Sequence, residues 1–455
     1  MKIGLSLMSC LLSVGGVSYA SQQLTLDVSP VNNVLKANEK QTVWIRVGLK
    51  GARLDAGKKR PAANVAIVLD KSGSMNGEKM NQARAAAIDA VRMLNKDDIV
   101  SVVTYDSTVN VLVPATKLSE PEQVISKIRG IESGGNTALF AGVSKGAAEV
   151  RKFLDRKRVN RVILLSDGLA NIGPSSPGEL GNLGKSLQKE NISVSTLGLG
   201  LGYNEDLMMK LAAASGGNHE FIEKASELAD IFRSEFNDVL SVVAQEIDIY
   251  IDVPAGIRPV QVLGNEADIN GQQVVTRLAQ VYSQQERFVT LEVEIPGTEE
   301  TSKLTLANVA VSYANMKTHE SDRLASSAKV RFSRDINQIN GSVNQQALAD
   351  VVSLVSSEKS KLATKYLDLG NLEACREVLR ANVRYLNLNA KNLPADKDRL
   401  TALAIQNSFQ LRDLEGVESN KDKRANRARK SQRGYQSLVD QQQRGGSRLP
   451  VKGGK

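Results

Sequence analysis

Continuous apolar runs alternate with runs of helical period through the middle of the chain. Residues 63–69 and 162–165 are almost unbroken aliphatic stretches, with V-A-I-V-L and V-I-L-L among them. The run 79–94 instead repeats its apolar residues every three or four positions, at Met80, Ala83, Ala87, Val91 and Leu94. Uninterrupted strands separated by crossover helices are typical of a parallel sheet that is covered on both faces. We therefore predict a doubly wound, mostly parallel α/β domain over residues 61–243.

Strands without intervening helices lie on both sides of this segment. Residues 21–60 contain two alternating stretches, and further strands separated by turns such as Asn270-Gly271 fill residues 244–335. Two strands alone are marginally stable. We therefore expect the N-terminal strands to complete a β-sandwich with the later ones, so that the α/β domain is an insertion into it.

Helical periodicity returns in residues 340–415, where two amphipathic runs meet at Gly370-Asn371 and a third follows. The next segment, 416–455, has few apolar positions, and from Lys421 to the end it carries eleven Lys and Arg against two Asp, a formal charge of +9. We expect a disordered basic tail that is able to contact anionic surfaces of the cell envelope. Because the rest of the chain is about neutral and only 4% of all residues are aromatic, nucleic acid is not favoured as a partner.

The first twenty residues have the pattern of an export signal. Met1-Lys2 supplies a positive charge, residues 3–17 are apolar, and Ser18-Tyr19-Ala20 fits a cleavage site of small residues. We predict that residues 1–20 are a signal peptide and that the protein is exported to the periplasm, the cell surface or the medium. An uncleaved anchor is the alternative. Cleavage would leave Cys375 as the one cysteine of the mature chain, which excludes an internal disulfide.

Small hydroxyl and carboxylate residues lie where predicted strands end or predicted helices begin. They are Asp70, Ser72 and Ser74 in D-K-S-G-S-M, Thr137 in G-G-N-T, and Asp167 in S-D-G. Loops at the carboxyl ends of parallel strands meet at one edge of a sheet, where α/β folds build their sites. Oxygen ligands suit hard cations such as Mg²⁺ or Ca²⁺, and five side chains leave a sixth octahedral position open.

Each of these stretches also has a purely structural interpretation. Ser74 and Thr137 are suitable N-caps of helices, and S-D-G is common in turns. The presence of all three stretches in order, each beside a predicted strand or helix, favours a shared site over three unrelated caps and turns.

The same residues carry a family resemblance. D-K-S-G-S-M, Thr137 and L-L-S-D-G resemble the metal-ion-dependent adhesion site of von Willebrand factor type A domains, and the resemblance extends from about residue 63 to residue 240. Longer stretches such as N-R-V-I-L-L-S-D-G-L-A-N-I-G resemble exported bacterial members of this family.

The resemblance implies a complete metal site. Its ligands would be Asp70, Ser72, Ser74, Thr137 and Asp167, and its ion usually Mg²⁺, with Mn²⁺ or Ca²⁺ as alternatives. It also implies that an acidic side chain of a partner protein supplies the sixth ligand. A degenerate, metal-free member of the family is the alternative, but none of the five positions is substituted.

Catalytic motifs are misplaced or absent. G-V-S-K-G at residues 142–146 matches a nucleophile motif but lies inside a predicted helix. The chain has two histidines, His219 and His319, and neither has the setting of a catalytic triad. We therefore expect a protein-binding, adhesion-type protein and no enzyme. The alternative is a metal-dependent assembly or chaperone-partner subunit of an envelope complex.

Overall fold

The computed structural model describes residues 22–54 and 60–442, so the predicted signal peptide lies outside the described residues. The first described elements are three strands, β1 (Leu24–Pro30), β2 (Val34–Lys36) and β3 (Gln41–Gly51). β1 and β3 form an antiparallel pair. Within the described ranges, none of the helices combines the length and the apolar character that crossing a membrane requires.

An α/β domain follows. Its elements are β4 (Ala62–Asp70), α1 (Glu78–Met93), β5 (Ile99–Tyr105), β6 (Val109–Lys117), α2 (Pro121–Arg129), α3 (Leu139–Arg151), β7 (Arg158–Ser166), α4 (Pro177–Lys189), β8 (Ser193–Leu199), α5 (Glu205–Ser215), β9 (His219–Ile222) and α6 (Leu228–Val239). The sheet has the order β6-β5-β4-β7-β8-β9, and within it β6 alone runs antiparallel to its neighbour.

Successive side chains of β4 enter two different apolar layers. Val65 and Ile67 pack with α1, α2 and α6, whereas Ala66 and Val68 pack with α3, α4 and α5. Because both faces of the strand are buried, its sequence is an aliphatic run without polar alternation. The predicted doubly wound fold class is therefore confirmed.

The end of this domain differs from its prediction. The apolar pattern predicts one long helix over residues 225–243, whereas α6 ends at Val239 and the next strand begins at Val242. Val242 and Val243 are β-branched, and such residues fit an extended strand better than a helix.

A β-sandwich contains the strands on both sides of the α/β domain. The later strands are β10 (Val242–Asp252), β11 (Arg258–Leu263), β12 (Ala267–Asn270), β13 (Gln273–Tyr282), β14 (Glu286–Ile295), β15 (Lys303–Asn315) and β16 (Ser321–Ser333). One sheet has the order β1-β3-β14-β11 and the other β12-β13-β10-β15-β16-β2, and a shared apolar core lies between them. Since β3 pairs with β14 along its length, the α/β domain interrupts the sandwich.

The C-terminal region is helical. Its helices are α7 (Ile336–Asn340), α8 (Gln345–Asp368), α9 (Leu372–Asn392), α10 (Lys397–Asp413) and α11 (Lys423–Asp440). α8 and α9 form a hairpin that turns at Gly370, whose φ of 76° lies in the left-handed region that favours glycine.

The prediction of a disordered basic tail over residues 416–455 is wrong for the residues that form α11. Its apolar side chains are buried, at Ala425, Ala428, Tyr435 and Val439. Lys430 Nζ lies 2.6 Å from Glu205 Oε2 of the α/β domain, and Arg429 Nε lies 2.7 Å from Asp368 Oδ1. These cations pair within the chain, so they are not free to bind an anionic surface. Residues 443–455 lie outside the described residues.

Buried charges also join the other regions. Arg161 of β7 is fully buried and donates to Glu235 at 3.0 Å and to Gln280 of the sandwich at 2.5 Å. Arg46 of β3 donates to Asp350 of α8 at 2.6 Å. Together with Lys430, these contacts fix the sandwich, the α/β domain and the helical region against one another.

Candidate metal centre

The two acidic residues of the candidate site lie at the same edge of the α/β sheet. Asp70 is the last residue of β4, and Asp167 directly follows β7. These strands are parallel neighbours with Leu69 opposite Leu165, so both chains leave the sheet at the same place. Topology therefore brings together two carboxylates that are far apart in the sequence.

A tight turn after Asp70 places the serine hydroxyls beside them. The backbone N–H of Ser72 donates to Asp70 Oδ1 at 2.8 Å, and a short 3₁₀ helix follows at Gly73–Met75. Ser72 Oγ and Ser74 Oγ are 3.1 Å apart, and Ser74 Oγ donates to Asp167 Oδ1 at 2.7 Å. The hydrogen-bonded chain links the two motifs directly.

Gly168 shows where the hydroxyls converge. A Cβ atom on this glycine would lie 3.0 Å from Thr137 Oγ1, 3.5 Å from Ser74 Oγ and 3.8 Å from Ser72 Oγ. Three hydroxyl oxygens thus surround one small volume that only a residue without a side chain leaves open. We call this volume the hydroxyl cradle. The structure brings all five predicted residues to it or to its border.

Thr137 belongs to the loop before α3 and does not cap that helix with its side chain. Its backbone N–H donates to Asn171 Oδ1 at 2.9 Å, and the N–H of Asn171 donates back to the Thr137 carbonyl at 3.2 Å. The loop after β7 therefore holds Thr137 in place, and its hydroxyl stays available to the cradle.

The two carboxylates are buried and each has polar partners. Asp70 is 0% and Asp167 is 1% exposed. Burial raises the pKa of Asp70 above its ordinary value, while hydrogen bonds from Ser166 and Ser72 oppose that shift. Ser166 Oγ donates to Asp70 Oδ2 at 2.7 Å, and Lys79 Nζ pairs with Asp167 Oδ2. The sequence motifs did not identify Ser166, Lys79 and Asn171 as residues of the site, although Ser166 and Asn171 are within four positions of Asp167.

The donor set fits a hard divalent cation. Two carboxylates and three hydroxyls offer oxygen atoms only, the ligands that Mg²⁺, Mn²⁺ and Ca²⁺ prefer. In the described ranges no three His, Cys, Asp or Glu side chains are grouped so as to hold a metal ion. A metal here must therefore depend on the serine and threonine hydroxyls.

The competing catalytic candidates are in unsuitable settings. Gly142 and Gly146 lie inside α3, so Ser144 between them is not on a strand-to-helix turn. His219 is buried, its Nδ1 is 2.8 Å from Thr196 Oγ1, and burial lowers its pKa to about 3. Cys375 is buried and burial raises its pKa to about 11, so its reactive thiolate is scarce.

Three relatives that match the chain cover different shares of it. The uncharacterized protein YfbK of Escherichia coli is 27% identical over 209 residues, which cover 45% of this chain and 36% of YfbK. The uncharacterized protein sll0103 of Synechocystis is 23% identical over 72% of this chain and 80% of its own length. Mouse inter alpha-trypsin inhibitor heavy chain 4 is 30% identical over 40% of this chain, but the match spans only 21% of that protein.

Two solved structures are similar over most of the chain. A von Willebrand factor type A protein from Catenulispora acidiphila superposes with a TM-score of 0.68 at 15% identity, covering 86% of this chain and 91% of its own. The ArnB paralog VWA2 from Sulfolobus acidocaldarius gives a TM-score of 0.62 at 16% identity, covering 92% and 98%. At these identities the likeness concerns the fold alone.

The family model agrees with the observed sheet and with its limits. It is described as the von Willebrand factor type A domain and matches residues 64–234, from β4 to α6. Residues 64–234, the α/β domain that is inserted in the β-sandwich, are therefore a von Willebrand factor type A domain.

Proposed function

We propose that this chain is an exported, non-catalytic protein-binding protein that holds a divalent cation in the hydroxyl cradle and uses it to grip an acidic residue of a partner protein. The observation that carries the proposal is the convergence of Ser72, Ser74 and Thr137 around Gly168, with Asp70 and Asp167 at its border. A set of unrelated helix caps would not place three hydroxyls within 4 Å of one point.

The residues divide the work as follows. Ser72, Ser74 and Thr137 would provide neutral ligands, and the two aspartates would provide charge, directly or through bound water. When bound, the ion would supply an electrophilic position that a carboxylate oxygen can occupy. Ser166 donates a hydrogen bond to Asp70 Oδ2 and so helps to orient the carboxylate.

Export is supported by the pattern of residues 1–20 and by the single cysteine that cleavage would leave. Absence of catalysis is supported by the positions of the two histidines. His219 is enclosed in the core, and His319 lies in the turn between β15 and β16 with a φ of 63°.

Thermal unfolding with and without MgCl₂ tests the metal site. A ligand present at 100 times its Kd stabilises the folded state by about 2.7 kcal/mol. We expect Mg²⁺ to raise the melting temperature of the wild type but not of Asp70→Asn, which keeps the shape of the side chain and removes its charge. Asp106→Asn is the matched control, since Asp106 lies at the same edge but pairs with Lys71. An equal response of wild type and Asp70→Asn would refute the site.

A pull-down from envelope extract tests the partner. Wild-type chain is used as bait with Mg²⁺ or with EDTA, and Asp70→Asn serves as the site-dead bait. A partner that is retained only by wild type with Mg²⁺ supports binding of a partner carboxylate through the metal ion. If the same stable set of subunits co-purifies under all conditions, the assembly-subunit alternative replaces the proposal.

A further inference from the structure

Lys79 is a charged residue that lies at the site and is not among the five predicted residues. It is the second residue of α1, and its Nζ pairs with Asp167 Oδ2 while lying 3.3 Å from the Ser74 carbonyl oxygen. The Asp167 side chain is 0% exposed in this pair and that of Lys79 is 37% exposed. The ammonium group therefore closes the solvent side of a buried carboxylate.

The position of Lys79 is not favourable for α1 by itself. The N-terminus of a helix carries partial positive charge from its unpaired N–H groups, and a cation in the first turn is repelled by it. No hydrogen bond from a side chain caps α1, whose N-cap is Gly77. The contact with Asp167 compensates for this placement, so Lys79 is better explained by the site than by its helix.

The charge count shows what the ammonium group does to a metal. Asp70, Asp167 and Lys79 together carry a formal charge of −1, and a divalent cation changes this to +1. Without Lys79 the corresponding values are −2 and 0. Like charges a few ångströms apart in a partly buried site repel each other. Lys79 therefore opposes the cation and leaves the loaded site with one surplus positive charge.

We propose that Lys79 is a positioning residue that weakens cation binding and makes the loaded site selective for an anionic ligand. This inference rests on the proposed function, because it concerns the same metal and the same carboxylate-bearing partner. A site with only two aspartates would have no net charge once loaded, and such a site attracts a carboxylate less than one with a charge of +1. Lys79 thus lowers the affinity of the site for the cation and raises the affinity of the loaded site for the anionic ligand.

Calorimetric titration of the chain from residue 21 with Mg²⁺ and Mn²⁺ tests whether Lys79 weakens cation binding. We expect the Kd of Lys79→Met to be about tenfold lower than that of wild type, because the like charge is gone. Lys79→Gln should behave similarly and serves as a second variant if Lys79→Met does not fold. Lys79→Arg keeps the charge and should stay within about threefold of wild type.

Lys71→Met is the matched control for long-range electrostatics. Lys71 follows Asp70 in the sequence but pairs with Asp106, so it is near the site without contacting Asp167. We expect its Kd to change less than about threefold. An unchanged or higher Kd in both Lys79→Met and Lys79→Gln, or an equal drop in Lys71→Met, would overturn the role of Lys79. If wild type itself binds neither cation, the proposed function fails together with this inference.

Acetate is a simple carboxylate, and its binding tests whether Lys79 makes the loaded site selective for an anionic ligand. Its binding to the Mn²⁺-loaded chain displaces water from the ion and lowers the relaxation rate of water protons. We expect acetate to bind wild type at least threefold more tightly than Lys79→Met, with Lys79→Arg close to wild type. Equal acetate affinity of wild type and Lys79→Met would contradict the selectivity, whatever the cation affinities are.

Discussion

Gly168→Ala places a methyl group inside the hydroxyl cradle, at 3.0, 3.5 and 3.8 Å from the hydroxyl oxygens of Thr137, Ser74 and Ser72. A magnesium ion needs its ligands at about 2.1 Å, so the ion and the methyl carbon cannot share this volume. The backbone of Gly168 is not among the left-handed glycines, so it accepts alanine, and the Thr137 side chain has to shift by a few tenths of an ångström to make room for the methyl group. We expect the metal-free fold to survive and cation binding to weaken at least ~100-fold.

The size of the effect follows from linkage. At a Mg²⁺ concentration of 100 times the wild-type Kd, the wild type gains about 2.7 kcal/mol, whereas a 100-fold weaker variant gains only about 0.4 kcal/mol. For an α/β domain of this size about 1 kcal/mol corresponds to roughly 2–4 °C, so the expected shifts are about 5–11 °C and about 1–2 °C. Differential scanning calorimetry with and without Mg²⁺ measures both.

Gly134→Ala is the control for this experiment. Gly134 belongs to the loop before Thr137, and a Cβ atom there would meet nothing within 4 Å. Its Mg²⁺-induced shift should equal that of wild type. The reasoning is refuted if Gly168→Ala is folded and shows the full wild-type shift, because the cradle would then not be where the ion binds.

Three other predictions concern buried groups. Lys430→Met removes the cation nearest to Glu205 and leaves it with Arg429, whose Nε lies 4.0 Å from Glu205 Oε1. It should lower the free energy of unfolding in urea by about 2 kcal/mol. Lys423→Met, at an exposed position of the same helix, should change it by less than about 0.5 kcal/mol. Equal effects would show that α11 is not held by the pair of Lys430 and Glu205. Cys375, with its pKa raised to about 11, should not react with an aromatic disulfide reagent at pH 8 until the chain is unfolded, and fast reaction of the folded chain would contradict its burial. Burial lowers the pKa of His219 to about 3, so between that value and about 6.5 the unfolded chain binds a proton that the folded chain does not. The contribution of His219 to the free energy of unfolding is therefore complete above pH 6.5 and should fall by about 2 kcal/mol at pH 5. Urea unfolding of His219→Asn, measured above pH 6.5 and at pH 5, should lack this part of the pH dependence.

The five residues of the candidate site could be picked out from the sequence because they lie in short local patterns. Asp70, Ser72 and Ser74 share one turn, and the parallel sheet brings Asp167 to the same edge by topology alone. Lys79 could not be recognised in the same way. A lysine in the first turn of a helix is ordinary in sequence, and its partner is 88 positions away.

The helix α11 shows where sequence patterns are insufficient. Its apolar positions are few, and most of its length is polar or basic, which is typical of a solvated tail. Its few apolar side chains are buried, and its cations pair with acidic residues of other elements, Glu205 of α5 and Asp368 of α8 among them. Charge complementarity between segments more than 200 positions apart, as in the pair of Lys430 and Glu205, leaves no local signal.

The interruption of the sandwich has a consequence during synthesis. Arg46 of β3 and Glu286 of β14 pair across 240 positions, so β3 leaves the ribosome long before its neighbouring strand exists. At about 5–20 residues per second this delay is roughly 10–50 s. During that time the apolar side chains of Ile45, Val47 and Leu49 lack the core residues that the later strands supply. Every strand and helix of the inserted domain is made before β14. The inserted domain can therefore fold first, and a nascent chain that stalls before β14 exposes an open sheet edge that other chains can join.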